Sequence, residues 1–359
     1  MSPLQRLRGA SRLAIDATTG LTDLVEAMHA EIARLPFTPA RERTGGLTGQ
    51  VYRSVRGVTR LVGAGLDGAL ATLAPLLQQT QADQANAVQA ALNGVLGDHL
   101  DATGNPLAMP MGLHPLVPDA KGPAVVLLHG LCMHEGQWQR DGADLPAALA
   151  AWGYQPLGLR YNSGRPIWRN GQELAALLDT VPGPLTLLGH SMGGLVARSA
   201  IAQADPSGWP SRLRTLITLG TPHLGAPLER GGQQLQQLLA LSAYARPLAL
   251  LAGRRSAGIR DLRHASLLPG DEGRASVLPL PDGVACFAVA ATTAHETSGS
   301  PARWLGDGLV PVASALGQHR MQSRRLAFTD TALLPDLGHL ALQTDARVQQ
   351  RLHAWLALR

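Results

Sequence analysis

Residues 187–194 read Leu187-Leu188-Gly189-His190-Ser191-Met192-Gly193-Gly194, which contains a Gly-x-Ser-x-Gly motif. A run of leucine and threonine typical of a buried strand precedes the motif, and the segment Leu195–Ala200 that follows is typical of a helix. A serine on such a strand-to-helix turn has a strained backbone that exposes its hydroxyl. Gly189 and Gly193 suit this turn because a Cβ at either position would collide with the neighbouring strand or helix. The stretch therefore predicts that Ser191 is a catalytic nucleophile.

The composition of the whole chain is that of a globular protein. It has 359 residues, 45% of them hydrophobic, which allows one large domain or two smaller ones. The formal net charge of +5 is modest for this length, and the arginines are scattered rather than gathered beside aromatic residues. Nucleic acid is therefore not an expected partner.

The cysteine content and the apolar segments bear on location. Cys132 and Cys286 are too few for a disulfide framework, and we expect free, buried thiols. Polar residues interrupt the apolar segments near the N-terminus, and no stretch of about 18 apolar residues is free of charge. The sequence therefore predicts no signal peptide and no transmembrane helix, and we expect a cytoplasmic protein.

The chain divides by its pattern into three parts. Residues 1–105 have apolar stripes at helical spacing, one of them from Val51 to Leu77, and are predicted to be helical. Residues 106–121 are rich in Gly, Pro and Met and are interpreted as a linker. We expect the helical region to pack against the remaining domain. The alternative is an amphipathic surface that makes peripheral membrane contact, although its polar faces are not strongly basic.

Residues 122–359 alternate between strand and helix patterns. Ala124–Leu128 is wholly apolar, as a buried parallel strand should be. Further strands are predicted at Gln155–Tyr161, Leu185–Leu188, Leu213–Leu219, Val284–Ala291 and Arg325–Phe328. This alternation predicts an α/β fold with a doubly wound, mostly parallel sheet. Residues 225–281 break the alternation, and we interpret them as a helical cap insertion over the site.

A serine hydroxyl becomes a good nucleophile only when a base takes its proton. His339, after the last predicted strand and before the final helix, is the expected base. The histidine needs a carboxylate that fixes its tautomer. Asp307, within Gly306–Pro311, gives the chain order serine, aspartate, histidine. Asp336 is the alternative, but a residue so close in sequence to His339 is badly placed to orient that ring.

Backbone N–H groups should stabilise the oxyanion formed during the reaction. We expect these donors to be Met192, directly after the nucleophile, and Leu131, in the loop after the first core strand. The residues expected to line the substrate site are Cys132, His190, His223 and Leu224. His190 is expected to pack beneath the nucleophile rather than to react. No His, Cys or Asp spacing fits a zinc site and no phosphate-binding loop is present, so we expect no cofactor and no metal.

These motifs resemble those of the α/β-hydrolase superfamily, and more narrowly its bacterial lipase and esterase branch, which is similar in fold to GPI inositol deacylases. The resemblance covers roughly residues 122–359. Beyond the serine motif it is carried by three segments: Leu128–Leu131, Gly220-Thr221-Pro222-His223-Leu224-Gly225 and Gly306–Pro311. It implies hydrolysis of carboxylic esters through an acyl-enzyme, with acyl chains under the cap. The fold usually has two strands before the one at Val125, and here the sequence offers one weak strand near Leu113.

Three functional hypotheses follow. The leading one is a serine hydrolase, of carboxylesterase or lipase type, for lipid or other apolar esters. The second is an acyltransferase or thioesterase with the same triad, because water and an acceptor alcohol compete for one acyl-enzyme. The third is a catalytically inactive lipid-binding or interaction protein, which the intact Ser191, Asp307 and His339 disfavour.

Overall fold

The computed structural model describes residues 3–32, 49–57, 59–60, 82–140, 142–225, 256–276, 278–295 and 306–358. The predicted stripe from Val51 to Leu77 lies outside the described residues beyond residue 60, and so do residues 226–255 of the predicted cap. The described residues form two compact units. One comprises those within 1–81 and 102–107, and the other those within 82–101 and 108–359.

The first unit is helical where it is described. Helix α1 spans Pro3–Ile32, and residues 49–57 are also helical. Arg56 joins these two segments, because its Nη1 donates to Glu26 Oε2 at 2.5 Å and to Asp23 Oδ1 at 2.9 Å. Among the described helices, none combines the length and the apolar character needed to cross a bilayer.

The second unit has the alternating order of strands and helices that the sequence predicts. Its strands are β1 Gly112–Pro115, β2 Ala124–Leu128, β3 Gln139–Arg140, β4 Ala143–Asp144, β5 Gln155–Arg160, β6 Leu185–His190, β7 Leu213–Leu219, β8 Ala285–Ala291 and β9 Asp330–Leu334. Its helices are α2 Ala82–Ala102, α3 Leu145–Ala151, α4 Ile167–Leu178, α5 Met192–Gln203, α6 Ala257–His264, α7 Val312–Ala315 and α8 Ala346–Leu356. Short 3-10 helices occur at Glu135–Trp138, Trp209–Arg212, Gln322–Arg324 and Leu340–Gln343.

Seven of the described strands form one sheet, in the order β1-β5-β2-β6-β7-β8-β9. Strand β1 is antiparallel to β5, and the other neighbours are parallel. The parallel part of the sheet therefore starts near the middle at β2, continues at β5 on one side of it, and then passes through β6 to β9 on the other side. This confirms the predicted doubly wound, mostly parallel sheet, in which sites form beyond the carboxyl ends of the strands.

Alternate residues of the central strands face two separate apolar layers. Val126 and Leu128 of β2 lie in one layer, which includes side chains of α4 and α5. Val125 and Leu127 lie in the other, which includes side chains of α3 and α8. Strands buried on both faces must be apolar throughout, which explains the unbroken hydrophobic run that marks β2 in the sequence.

The compact units divide the chain differently from the predicted boundaries. Residues 82–101 of α2 group with the α/β unit, although their sequence pattern predicts that they belong to the N-terminal region. Ala91 and Val95 of α2 belong to the same apolar layer as Val126 and Leu128 of β2, which accounts for this grouping. The predicted linker also contains β1, which is the weak strand expected near Leu113.

The predicted last strand at Arg325–Phe328 is wrong. The last strand is β9, Asp330–Leu334, and its pairing with β8 aligns Phe287 with Asp330. The ladder begins where the Thr329 N–H donates to the Cys286 carbonyl at 2.7 Å. The Leu326 N–H instead donates to the Gly317 carbonyl at 3.0 Å, which is a contact outside the sheet.

Candidate active site

The Gly-x-Ser-x-Gly motif forms a sharp turn between β6 and α5. Ser191 has φ 54° and ψ −122°, a strained conformation for a residue with a side chain. A Cβ on Gly189 would collide with the backbone of Gly194, and one on Gly193 with the Leu128 carbonyl oxygen. The turn therefore needs both glycines, for the reason that the sequence indicates.

His339 and Asp307 form a buried pair. His339 Nδ1 lies 2.7 Å from Asp307 Oδ2, and both side chains are almost fully buried. Because an ionised carboxylate can only accept, Nδ1 carries the proton of this bond. Asp307 Oδ1 accepts the N–H groups of Leu309 at 3.0 Å and Val310 at 2.8 Å, so both carboxylate oxygens are committed.

The rival carboxylate lies elsewhere. Asp336 Oδ1 is 2.5 Å from Nδ1 of His295, and both of these side chains are substantially exposed. The geometry thus pairs His339 with Asp307. The backbone makes the same connection, because the His339 N–H donates to the Asp307 carbonyl at 3.0 Å.

Gly220 lies where the serine, aspartate and histidine loops meet. The Ser191 N–H donates to the carbonyl of Leu219, the residue before Gly220, at 2.9 Å. Gly220 has φ 55°, and a Cβ on it would lie 3.0 Å from Asp307 Oδ2 and 3.2 Å from His339 Nδ1. A side chain at this position would press on the pair, so the first glycine of the Gly-Thr-Pro-His segment leaves room for it.

His190 connects the nucleophile turn to the histidine loop. Its Nε2 lies 3.0 Å from the His339 carbonyl oxygen, so Nε2 carries the proton and donates it. The His190 ring is fully buried, and this burial together with the nearby His339 holds its pKa well below the usual value. His190 therefore stays neutral and positions the backbone of His339.

The second nitrogen of the His339 ring is available for chemistry. Nε2 is buried and has no hydrogen-bond partner within the part of the chain that the structure describes. Ser191 Oγ and Nε2 are therefore not hydrogen-bonded in this conformation. Such contacts are often long in enzymes without substrate and tighten when substrate binds.

The loop after β2 approaches the serine closely. A Cβ on Gly130 would lie 3.2 Å from Ser191 Cβ. The Cys132 N–H donates to Ser163 Oγ at 3.1 Å and is therefore already committed. The Tyr161 hydroxyl donates to the His129 carbonyl at 2.6 Å and anchors the start of the loop. The roles of Tyr161 and Ser163 are not predicted from the sequence, because nothing in their local pattern marks these contacts.

The residues expected to line the substrate site are spread over several surroundings. Cys132 is buried, and its thiol lies against α2, since a Cβ on Gly94 would collide with Sγ. Burial raises the pKa of the Cys132 thiol to about 12, so the thiol is inert. Leu224 is half-buried, and its N–H donates to Ser314 Oγ at 3.1 Å.

His223 is buried beside α5. Its Nδ1 lies 3.3 Å from Arg198 Nη1, and its Nε2 lies 3.2 Å from Thr218 Oγ1. The role of Arg198 is not predicted from the sequence. Its signal there is an arginine inside the segment Leu195–Ala200, in which Ser199 is the other polar residue. Among the described residues, no group of three or more His, Cys, Asp or Glu side chains is placed to hold a metal ion.

The chain is similar to a known family and to known proteins over part of its length. A family model described as PGAP1-like alpha/beta domain matches residues 173–270, which include Ser191 and Gly220 but neither Asp307 nor His339. The GPI inositol-deacylase of Debaryomyces hansenii is 38% identical over 63 residues, which are 18% of this chain and 6% of that protein. The GPI inositol-deacylase of Kluyveromyces lactis is 38% identical over 64 residues, again 18% of this chain and 6% of the relative.

Solved structures of bacterial and archaeal esterases are similar over more of the chain. The mature form of the lipase BlEst2 from Bacillus licheniformis is 22% identical, covers 70% of this chain and 97% of its own, and has a TM-score of 0.45. A carboxylesterase structure from the thaumarchaeon Nitrososphaera gargenis is 15% identical, covers 70% of this chain and 94% of its own, and also has a TM-score of 0.45.

Proposed function

We propose that this protein, a member of the α/β-hydrolase superfamily, is a serine carboxylic-ester hydrolase that acts on lipid or other apolar esters. The observation that carries the proposal is the buried pair of Asp307 and His339, whose Nε2 has no hydrogen-bond partner among the described residues. His190, the neighbour of Ser191 in sequence, contacts the His339 backbone, which supports a role for the strained serine together with this pair.

In the proposed mechanism, His339 is the base. Ser191 Oγ attacks the carbonyl carbon of the ester, and its proton passes to His339 Nε2. The imidazolium that forms is stabilised by the charge of Asp307, which accepts the Nδ1–H across 2.7 Å. The C–O bond to the alcohol then breaks, the alcohol leaves with the proton from Nε2, and Ser191 is acylated. Water repeats the sequence, and the acid and free serine result.

The developing oxyanion would be stabilised by the N–H groups of Met192 and Leu131. Met192 begins α5, so its N–H stands at the positive end of a helix dipole. Leu131 belongs to the loop that approaches Ser191, and the neighbouring Cys132 N–H is committed to Ser163. Loss of one such donor typically costs about 3 kcal/mol of transition-state stabilisation.

The choice of an acyl ester is supported by the names of two relatives, which are GPI inositol-deacylases. We therefore expect an acyl ester of an alcohol to be the substrate.

The cytoplasmic location and the peripheral membrane contact of the N-terminal region stay predictions, which fractionation of cells that make the full chain would test.

Hydrolysis of p-nitrophenyl esters of graded acyl length tests this proposal. The wild-type protein should release p-nitrophenol catalytically, and the preferred acyl length would give the size of the acyl site. In Ser191→Ala the rate of p-nitrophenol release should fall to the rate in buffer without protein, because this variant lacks the nucleophile. Turnover that survives in a correctly folded Ser191→Ala protein would overturn the proposal.

A further inference from the structure

Arg198 is a buried cation that points to a second binding site in the molecule. It lies on α5, and only 4% of its surface is exposed. Its Nη2 donates to the Leu278 carbonyl at 2.6 Å and its Nη1 lies 3.3 Å from His223 Nδ1. Its Nε is buried and has no hydrogen-bond partner among the described residues.

Both partners of Arg198 are neutral. A guanidinium group can only donate, so His223 Nδ1 accepts, and the ring proton is on Nε2, which donates to Thr218 Oγ1 at 3.2 Å. Burial and the nearby guanidinium keep the pKa of His223 well below its usual value. Within the described ranges, no carboxylate lies within ion-pair distance of Arg198. A buried charge without a counter-charge is costly, and an anionic ligand would offset that cost.

A cavity of about 150 Å³ opens at this arginine. Its wall includes Arg198, Arg324, Arg325, His319 and Ser323, and none of the twelve residues that line it is acidic. Arg198 is buried, whereas Arg324 and Arg325 are exposed, so the cavity has one cation at its base and two near solvent. We call this cavity the basic pocket.

The acidic residue Asp271 contacts the wall of the pocket without lining it. Asp271 accepts the hydroxyl of Ser276, a lining residue, at 2.5 Å. Ser276 Oγ in turn accepts the Leu267 N–H at 2.6 Å. Asp271 therefore orders this wall through Ser276.

We propose that the basic pocket binds a phosphate group, either free or at the end of a larger ligand. Three guanidinium groups favour an anion of more than one charge, and a phosphate monoester carries about −1.5 to −2 at neutral pH. Planar guanidinium groups also match phosphate oxygens in paired hydrogen bonds. The pocket is smaller than sites for drug-sized ligands, which occupy about 300–1,000 Å³, so it suits the phosphate and not an acyl chain.

Calorimetric titration at constant ionic strength tests the proposal with three probes: inorganic phosphate, short-chain phosphatidic acid and acetate. Phosphate should bind saturably and more tightly than acetate. Arg324→Gln and Arg325→Gln should each weaken phosphate binding on the order of tenfold, since each removes a charge-assisted contact. The matched control is Arg214→Gln, which removes an exposed arginine of β7 outside the pocket and should leave the affinity unchanged.

Arg198→Gln should abolish binding, but a buried arginine can also be needed for folding, so the two exposed arginines provide the decisive variants. Ser191→Ala should bind phosphate like the wild type, which separates this inference from the proposed ester hydrolysis. Binding of inorganic phosphate would support a free anion as ligand, and binding of phosphatidic acid alone would support a lipid head group. Absence of binding by both, or equal losses in Arg214→Gln and Arg325→Gln, would overturn the proposal.

Discussion

The substitution Asp307→Asn replaces one oxygen of the buried pair with an NH₂ group, and the surrounding contacts decide which oxygen is lost. Oδ1 accepts two backbone N–H groups, from Leu309 and Val310. An amide nitrogen facing these donors would leave both N–H groups unpaired, and each unpaired group would cost about 1–3 kcal/mol of folding free energy. The asparagine oxygen therefore takes the Oδ1 position, and the NH₂ group faces His339.

This orientation forces the wrong tautomer on His339. The NH₂ group donates to Nδ1, which must then be unprotonated, so the ring proton moves to Nε2. A protonated Nε2 cannot take the proton of Ser191. By analogy with the same substitution in a serine protease, kcat should fall about 10⁴-fold, which is about 5 kcal/mol of activation free energy.

The assay is steady-state hydrolysis of p-nitrophenyl esters, with thermal unfolding measured in parallel. The Asp307→Asn protein should unfold within a few degrees of the wild type, because its backbone contacts are kept. Asp336→Asn is the matched control and should stay within about twofold of wild-type kcat, since Asp336 contacts the exposed His295. A kcat within tenfold of wild type for Asp307→Asn, or a larger loss for Asp336→Asn, would refute the reasoning.

Three further substitutions or measurements test other parts of the structure. Gly193→Ala should lower the free energy of unfolding by about 1–3 kcal/mol, because its Cβ would collide with the rigid Leu128 carbonyl. Asp261 has a pKa raised by burial to about 6 in the folded protein, so its negative charge opposes folding once it ionises. Relative to Asp261→Asn, the wild type should therefore lose about 2 kcal/mol of stability as the pH rises from 4 to 7. The thiols of Cys132 and Cys286 are buried with pKa values raised to about 12, so the native protein should not react with Ellman's reagent until it is unfolded.

Each of these predictions has a control and a contrary outcome. Gly112→Ala, where a Cβ would meet only His114 Nε2 at 3.5 Å, should cost far less stability than Gly193→Ala, and equal costs would contradict the collision argument. Stability curves of wild type and Asp261→Asn that run parallel between pH 4 and 7 would show that burial does not raise that pKa. Rapid release of thionitrobenzoate from native protein would contradict the burial of the cysteines.

The sequence predicts those parts of the fold that local chemistry determines. Strand β2 is recognisable because a strand buried on both faces must be apolar, and the turn at Ser191 is recognisable because collisions at Gly189 and Gly193 exclude other residues. The last strand could not be placed in the same way. Arg325–Phe328 has a pattern that fits a strand, but the sheet contact begins only at Thr329, where pairing with Cys286 decides the register.

Contacts between segments that are distant in the chain could not be predicted from local sequence patterns. The apolar stripe of α2 predicts a helix, but only the packing of Ala91 and Val95 assigns it to the α/β unit. The anchoring of the loop after β2 by Tyr161 depends on contacts across the sheet, and so does the link between Arg198 and His223. Asp307 and His339 are predicted from their motifs and chain order, yet their pairing is a property of the folded chain alone.

Covalent labelling with a fluorophosphonate, followed by mass spectrometry of the labelled peptide, tests the central claim most directly. The reagent phosphonylates only a serine that a neighbouring base activates. We expect a single adduct on Ser191 in the wild type and none in Ser191→Ala, with labelling strongly slowed in Asp307→Asn. A folded wild-type protein without an adduct, or with its adduct on a different residue, would contradict the assignment of Ser191 as the nucleophile.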